Sequence, residues 1–315
     1  MTNIKESNRF MLILIIWALP ASLFTFIFTS AMGASTGILI LISQFLTFGI
    51  PSIVVLSMYS KNIKTILPIR KMGTKNYLMI IAMSLAIQPI LMLTSAILSQ
   101  FIPNVSAEIL GDMNMESNFI LVLLFIAVVP SIFEELVFRG IIFSGYKEIP
   151  IFKAALLNGL LFGIIHLNFH QFFYTAILGF ILCYFVYYTK SIISAVLAHF
   201  VLNGVQAGIS HFTTSPQQTN AAYNEPSIFL VLAVLGIVGT VGLAVFAAIF
   251  KRFKLHNASN IHTPNDEVTQ ECIALPESSK KPSIFTVPIY ISIALFVIFA
   301  FISLLPSFIH SCPYC

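Results

Sequence analysis

The sequence predicts an all-α membrane protein, a polytopic bundle of about eight to nine transmembrane helices. Its 315 residues are 58% hydrophobic and only 9% charged, and the mean hydropathy is +0.94. Soluble domains carry about 25% charged residues, so a soluble fold could not cover this much apolar side chain. Two further observations support the prediction: apolar runs of spanning length recur along the chain, and positive charges fall in alternate loops.

The apolar runs give about nine candidate spans, at roughly 20 residues for each spanning helix. The first run exceeds the apolar core of a signal peptide, which is about 7–15 residues, and is therefore interpreted as a span. The fifth run is short, which predicts a broken or partly buried span. In chain order the runs cover 10–30, 36–60, 77–102, 118–146, 153–168, 170–189, 191–210, 227–250 and 284–309.

The loop charges predict the topology independently. With the N-terminus in the cytoplasm, alternating spans put every loop lysine and arginine on the cytoplasmic side. We expect an integral protein of a bacterial cell membrane, surrounded by lipid, with a cytoplasmic N-terminus. The net charge of +4 forms no basic patch with interleaved aromatic residues, so nucleic acid is not an expected partner. The opposite loops carry only acidic charges, namely Glu108, Asp112, Glu116 and Glu225.

The fourth run, "VVPSIFEELVFRGIIF" at 128–143, holds Glu134, Glu135 and Arg139 among apolar side chains. An ionisable residue at the bilayer centre costs about 2.5–3.5 kcal/mol on insertion scales, so its presence indicates a function or a buried ion pair. Glu135 and Arg139 are spaced i, i+4 and share one helix face. An ion pair between them is compatible with catalysis on the same helix.

Three more polar residues lie within later runs: His166, His199 and, one helical turn after it, Asn203. Counted from the cytoplasmic boundaries, Glu134 and His166 lie about 13 residues deep and His199 about 9, or roughly 20, 20 and 14 Å. Polar groups inside a membrane must find one another or water. The similar depth therefore predicts one shared polar cavity.

These residue types suit hydrolysis of an amide bond. A glutamate held away from bulk water can act as a general base on a water molecule, and a histidine can share that water. A second histidine and an asparagine amide can donate hydrogen bonds to the developing oxyanion. The set also suits a divalent metal such as Zn²⁺, held by Glu134, His166 and His199, because two histidines and a glutamate form a hydrolytic zinc triad.

Three short motifs occur in order on predicted spans: "EELVFR" at 134–139, "FGIIH" at 162–166 and "HFVLN" at 199–203. Together they resemble the CPBP family of intramembrane proteases, which includes the CAAX prenyl endopeptidases and the bacterial Abi proteins. The resemblance implies an endopeptidase that cleaves a membrane-associated protein or peptide. The family is usually labelled as metalloproteases, although a metal-free glutamate mechanism fits the same residues.

The resemblance covers the segment 118–210, which is the predicted catalytic core. The segments 1–117 and 211–315 are predicted to add further spans, with a cytoplasmic loop at 251–283. The implied roles are Glu134 as the water-activating base, His166 as its partner on that water, His199 and Asn203 as oxyanion donors, Glu135 and Arg139 as an orienting ion pair, and Phe162 as a packing residue.

Two other classes remain open. In a transporter, the intramembrane glutamates and histidines would line a proton or solute path. In a non-catalytic scaffold or bacteriocin-immunity protein, the same residues would serve only the fold. The C-x-x-C formed by Cys312 and Cys315 is a weak signal, compatible with a disulfide, with half of a metal site or with no function.

Overall fold

The computed structural model describes residues 3–59, 63–116, 118–213, 227–261 and 283–304, and the regular structure in these ranges is helical. Short helical turns at Ile63–Ile66 and Ala258–Asn260 accompany the main helices. The main helices are α1 Ile4–Met32, α2 Thr36–Met58, α3 Thr74–Leu98, α4 Val105–Glu116, α5 Phe119–Ile142, α6 Ile151–Ile164, α7 Phe169–Thr189, α8 Ile193–Thr213, α9 Ile228–His256 and α10 Val287–Ile302.

The predicted all-α polytopic bundle is confirmed. In the described residues, seven helices are long and apolar enough to cross a membrane, namely α1, α2, α3, α5, α7, α8 and α9, while α6 and α10 are shorter apolar helices. The predicted short fifth span corresponds to α6, which has 14 residues. Helix α4 was not predicted, because its composition is that of a polar loop.

Some predicted boundaries are wrong. Helix α9 continues to His256, because its basic last turn extends beyond the apolar run, so the predicted loop 251–283 begins later than expected. Helix α5 ends at Ile142 rather than at residue 146. The pair Cys312 and Cys315 lies outside the described residues.

Loops that were predicted to share one side of the membrane meet at one end of the bundle. The Lys147 Nζ, after α5, donates a hydrogen bond to the Thr65 carbonyl, between α2 and α3, at 2.9 Å. The Ser191 hydroxyl, between α7 and α8, donates to the Arg70 carbonyl at 2.6 Å. These contacts agree with the alternation of spans that the loop charges indicate.

Three segments inside the spanning helices have π-helical geometry, Phe45–Gly49 in α2 and Leu123–Val128 and Leu136–Ile142 in α5. In each segment a backbone carbonyl accepts a hydrogen bond from a side chain of another helix, which ties the π-segment to its neighbour. Lipid offers backbone groups no such partner, so these bonds stabilise the irregular geometry within the bundle. The three pairs are Trp17 Nε1 to Leu46 O at 2.8 Å, Asn203 Nδ2 to Ile126 O at 3.1 Å and Asn158 Nδ2 to Phe138 O at 2.9 Å.

Helices α6 and α7 form a tight hairpin. A Cβ atom added at Gly159 would lie 2.7 Å from the Ala176 carbonyl oxygen, so only glycine allows the two backbones to approach this closely. Leu167 in the turn has a positive φ of 51°, and the Asn168 side chain caps α7 by accepting from the backbone N–H of His170 and Gln171. The turn lies level with the C-terminal end of α3, because His170 Nε2 lies 2.9 Å from the Ser99 hydroxyl and 3.2 Å from the Ser95 carbonyl oxygen.

Candidate active site

Glu135 is the centre of a buried charged cluster that joins α5 to α8. Its Oε1 accepts a hydrogen bond from Arg139 Nη1 at 2.9 Å and lies 2.8 Å from His199 Nδ1. The side chains of Glu135 and Arg139 are fully buried, and that of His199 is 4% exposed. The predicted i, i+4 ion pair is present, and the contact with His199 adds a link that the sequence did not indicate.

Glu134 faces a different neighbour. Its Oε1 accepts a hydrogen bond from Gln44 Nε2 of α2 at 2.9 Å. Glu134 is 6% exposed, so its carboxylate is nearly enclosed. No ion pair to Glu134 occurs among the described residues, which leaves most of its lone pairs available to a water molecule.

The ring of Phe162 forms a platform in the middle of the site. The Arg139 guanidinium carbon lies 4.4 Å from the ring centroid, a cation–π contact. The rings of His166 and His199 meet Phe162 edge to face, with centroids 5.2 and 5.9 Å away. The platform therefore holds both histidines and the arginine around one aromatic side chain.

The hydrogen bonds of the two histidines define which ring nitrogen is left for chemistry. His166 Nδ1 lies 2.7 Å from the Phe162 carbonyl oxygen, which can only accept, so Nδ1 carries the proton. His199 Nδ1 faces the Glu135 carboxylate in the same way. Nε2 is therefore the available nitrogen of each ring, as a lone pair in the neutral form and as a donor in the imidazolium form.

Asn203 lies one turn beyond His199 on α8 and is partly buried. Its Nδ2 donates to the Ile126 carbonyl oxygen, within a π-segment of α5, at 3.1 Å. An amide nitrogen carries two protons, so this bond fixes the side chain and leaves one N–H free to donate elsewhere. The amide is thus oriented by α5 and keeps one N–H that can donate a further hydrogen bond.

Within the ranges that the structure describes, the predicted ligands do not come together as a recognisable metal centre. Within the described residues, no group of three or more histidine, cysteine, aspartate or glutamate side chains is placed to hold a metal ion. Glu134, His166 and His199, the predicted ligands, each use one polar atom in a protein contact. Whether cleavage depends on a metal ion is tested with a chelator.

The structure brings Glu135 and Arg139 of α5, Phe162 and His166 of α6 and His199 of α8 into one cluster, whereas Glu134 contacts Gln44 and Asn203 contacts the Ile126 carbonyl. Sequence reasoning missed Gln44. A polar amide inside an otherwise apolar run is the available signal, but Gln44 lies outside the three motifs and far from them in the sequence. The link between Glu135 and His199 had no signal, because it depends on how α5 and α8 are rotated against each other.

Comparison with known proteins confirms the resemblance to the CPBP family that the motifs indicate. Residues 116–205 match the family described as "Rce1-like: Type II CAAX prenyl endopeptidase Rce1-like". A Bacillus subtilis (strain 168) protein described as "Putative membrane peptidase YdiL" is 37% identical over 79 residues, which are 24% of this chain and 32% of that protein. The similarity thus spans about a third of the relative's length. No solved structure matches the chain.

Proposed function

We propose that this chain, whose residues 116–205 match the Rce1-like type II CAAX prenyl endopeptidase family, is an intramembrane endopeptidase. It hydrolyses a peptide bond of a membrane-associated protein or peptide with water activated by Glu134. One observation carries the proposal: among the described residues, Glu134 is a nearly enclosed carboxylate without a cation partner, and its neighbour Glu135 binds His199, whose ring meets the same Phe162 ring as that of His166. We further propose that the N-terminus is cytoplasmic and that the membrane is that of a bacterial cell.

In the first step, Glu134 removes a proton from the attacking water, whose oxygen bonds to the carbon of the scissile carbonyl. His166 Nε2 accepts the second hydrogen bond of that water and so aims it. The carbonyl oxygen becomes an oxyanion, which receives hydrogen bonds from the free N–H of Asn203 and from His199 Nε2–H. Since His199 Nδ1 already donates to Glu135, it can serve as that donor only as an imidazolium, which the Glu135 carboxylate stabilises.

In the second step, the carbon–nitrogen bond breaks and the proton held by Glu134 passes to the leaving amine. Atoms balance, because the water supplies one oxygen and one proton to the new carboxyl group and the other proton to the amine. Glu135 and Arg139 take no part in proton transfer. They position His199 and hold a fixed charge beside it.

The test compares new peptide termini in membranes that contain the wild-type protein or the Glu134→Gln variant. This substitution keeps the size of the side chain and removes the base, so we expect a loss of at least 1,000-fold in cleavage, within the range for loss of a general base and its charge. Glu148→Gln is the matched control, because Glu148 is an exposed carboxylate outside the site, and its termini should equal those of wild type.

The same comparison with an added chelator tests whether cleavage depends on a metal ion. Cleavage that continues in the presence of a chelator supports the metal-free mechanism, whereas loss of cleavage that added Zn²⁺ restores would make the protein a metalloprotease. Termini that are identical in wild type and Glu134→Gln, with equal amounts of folded protein, would refute the protease and favour the scaffold or the transporter.

A further inference from the structure

Gln44 brings an amide from α2 to the carboxylate of Glu134. The donor in this 2.9 Å contact must be the amide nitrogen, because a carboxylate only accepts hydrogen bonds. The orientation of the amide is therefore fixed, with its NH₂ group toward Glu134 and its carbonyl oxygen turned away. Gln44 lies outside residues 116–205, so the similarity to the protease family gives it no role.

The carbonyl oxygen of Gln44 is a buried acceptor that lacks a protein partner in the described part of the chain. Buried acceptors are nearly always paired, and an unpaired one beside a reactive carboxylate indicates a donor that arrives from outside the protein. A peptide substrate presents such a donor in each backbone N–H. The amide also lies next to a π-segment, Phe45–Gly49, a geometry that is frequent at functional sites.

We propose that Gln44 is a positioning residue that connects the base to the substrate. Its N–H holds the Glu134 carboxylate in one orientation, and its oxygen accepts a hydrogen bond from a backbone N–H of the substrate beside the scissile bond. A single rigid amide then sets the distance between base and substrate. The inference rests on the proposed function, since it requires Glu134 to be the base.

Two substitutions separate this role from simple packing. Gln44→Met has nearly the same length but neither donor nor acceptor. Gln44→Glu keeps the shape and the acceptor but replaces the donor by an oxygen. The matched control is Gln88→Met: Gln88 is a buried glutamine of α3 whose nitrogen donates to the Gln206 side chain at 3.4 Å, and its oxygen also lacks a partner.

The activity probe is a quenched fluorescent peptide that carries the cleavage sequence recovered from the membrane experiment. Loss of one hydrogen bond to a charged group corresponds to about 10- to 100-fold. We expect Gln44→Met to lower kcat by this factor and to raise KM several-fold, and Gln44→Glu to lower kcat at least as much with a smaller change in KM. Both kcat and KM of Gln88→Met should stay within about twofold of the wild-type values.

A second readout does not depend on cleavage. The infrared difference between wild type and Glu134→Gln isolates the carboxylate band of Glu134, and Gln44→Met should shift that band toward the position of an unbonded carboxylate. An unshifted band, or wild-type kcat in Gln44→Met, would overturn the inference. A drop in kcat with unchanged KM would overturn the substrate contact and support the contact with Glu134. Failure of the proposed function is recognised separately, because the wild type itself would then yield no new termini.

Discussion

Glu135→Gln should cost both stability and activity, and a second substitution should restore only the stability. Glu135 Oε1 meets Arg139 Nη1 at 2.9 Å and His199 Nδ1 at 2.8 Å, with the acid and the arginine fully buried. At 2.9 Å and an effective dielectric constant of about 20, the gross attraction to Arg139 is about 6 kcal/mol. Breaking a buried pair on one side costs about 3–5 kcal/mol, because the remaining charge is left without compensation.

The double variant Glu135→Gln/Arg139→Met removes both charges. Replacing a buried pair by neutral groups of similar volume is often neutral or stabilising, so we expect most of the lost free energy of unfolding to return. Activity should not return with it. His199 has then lost the carboxylate that accepts from its Nδ1–H and fixes its ring, and an amide oxygen accepts only a weaker, neutral hydrogen bond. Cleavage should remain at least about tenfold below wild type in both variants.

The free energy of unfolding is measured in detergent micelles by titration with a denaturing detergent, and cleavage by the yield of new termini per folded molecule. Glu148→Gln controls for the general effect of exchanging a carboxylate for an amide. A double variant that is no more stable than Glu135→Gln would refute the assignment of the stability loss to an unpaired Arg139. A double variant with wild-type cleavage would refute the positioning of His199 by Glu135.

Two further predictions concern packing. Gly159→Ala should lower the free energy of unfolding by about 1–3 kcal/mol, because its new Cβ would lie 2.7 Å from the Ala176 carbonyl oxygen. Gly208→Ala is the control: its Cβ would meet its nearest atom at 3.9 Å, so the variant should be neutral or slightly stabilising in the same titration. Equal losses of stability in the two variants would contradict this reasoning. Phe162→Leu should lower the free energy of unfolding by about 1–3 kcal/mol, since the ring contacts Arg139 and both histidines. At equal stability it should lower cleavage more than Gly159→Ala does. A variant with wild-type cleavage per folded molecule would show that the Phe162 ring is dispensable for activity.

The sequence predicts the spans well because the requirement for apolar side chains in lipid acts on every residue of a helix. The observed start of α2 at Thr36 coincides with the predicted start of its run, and the observed α7 differs from prediction by one residue. The ion pair between Glu135 and Arg139 is equally predictable, because both residues belong to one helix with known geometry.

Contacts between helices are less predictable, because they depend on the rotation and tilt of each helix. Depth along the membrane normal can be counted from the loops, and it correctly suggests that the polar residues meet. It does not reveal that His199 bonds to Glu135 while Gln44 bonds to Glu134. The π-segments add to the difficulty, since they change the phase of α2 and α5 and no residue pattern in the sequence marks them.

The two adjacent glutamates serve different neighbours because consecutive residues on a helix point about 100° apart. Glu135 turns toward His199 of α8, which shares one carboxylate oxygen with Arg139 of α5, and so it is bound as a fixed charge. Glu134 turns toward α2, where Gln44 supplies a neutral donor, and its lone pairs stay open to water. We propose that the carboxylate held by an arginine serves as a fixed charge, whereas the one held by a neutral amide takes the proton of the water. The proposed roles of base and positioning residue therefore follow from the direction in which each side chain leaves α5, and exchanging the two would require α5 to rotate by a quarter turn or more.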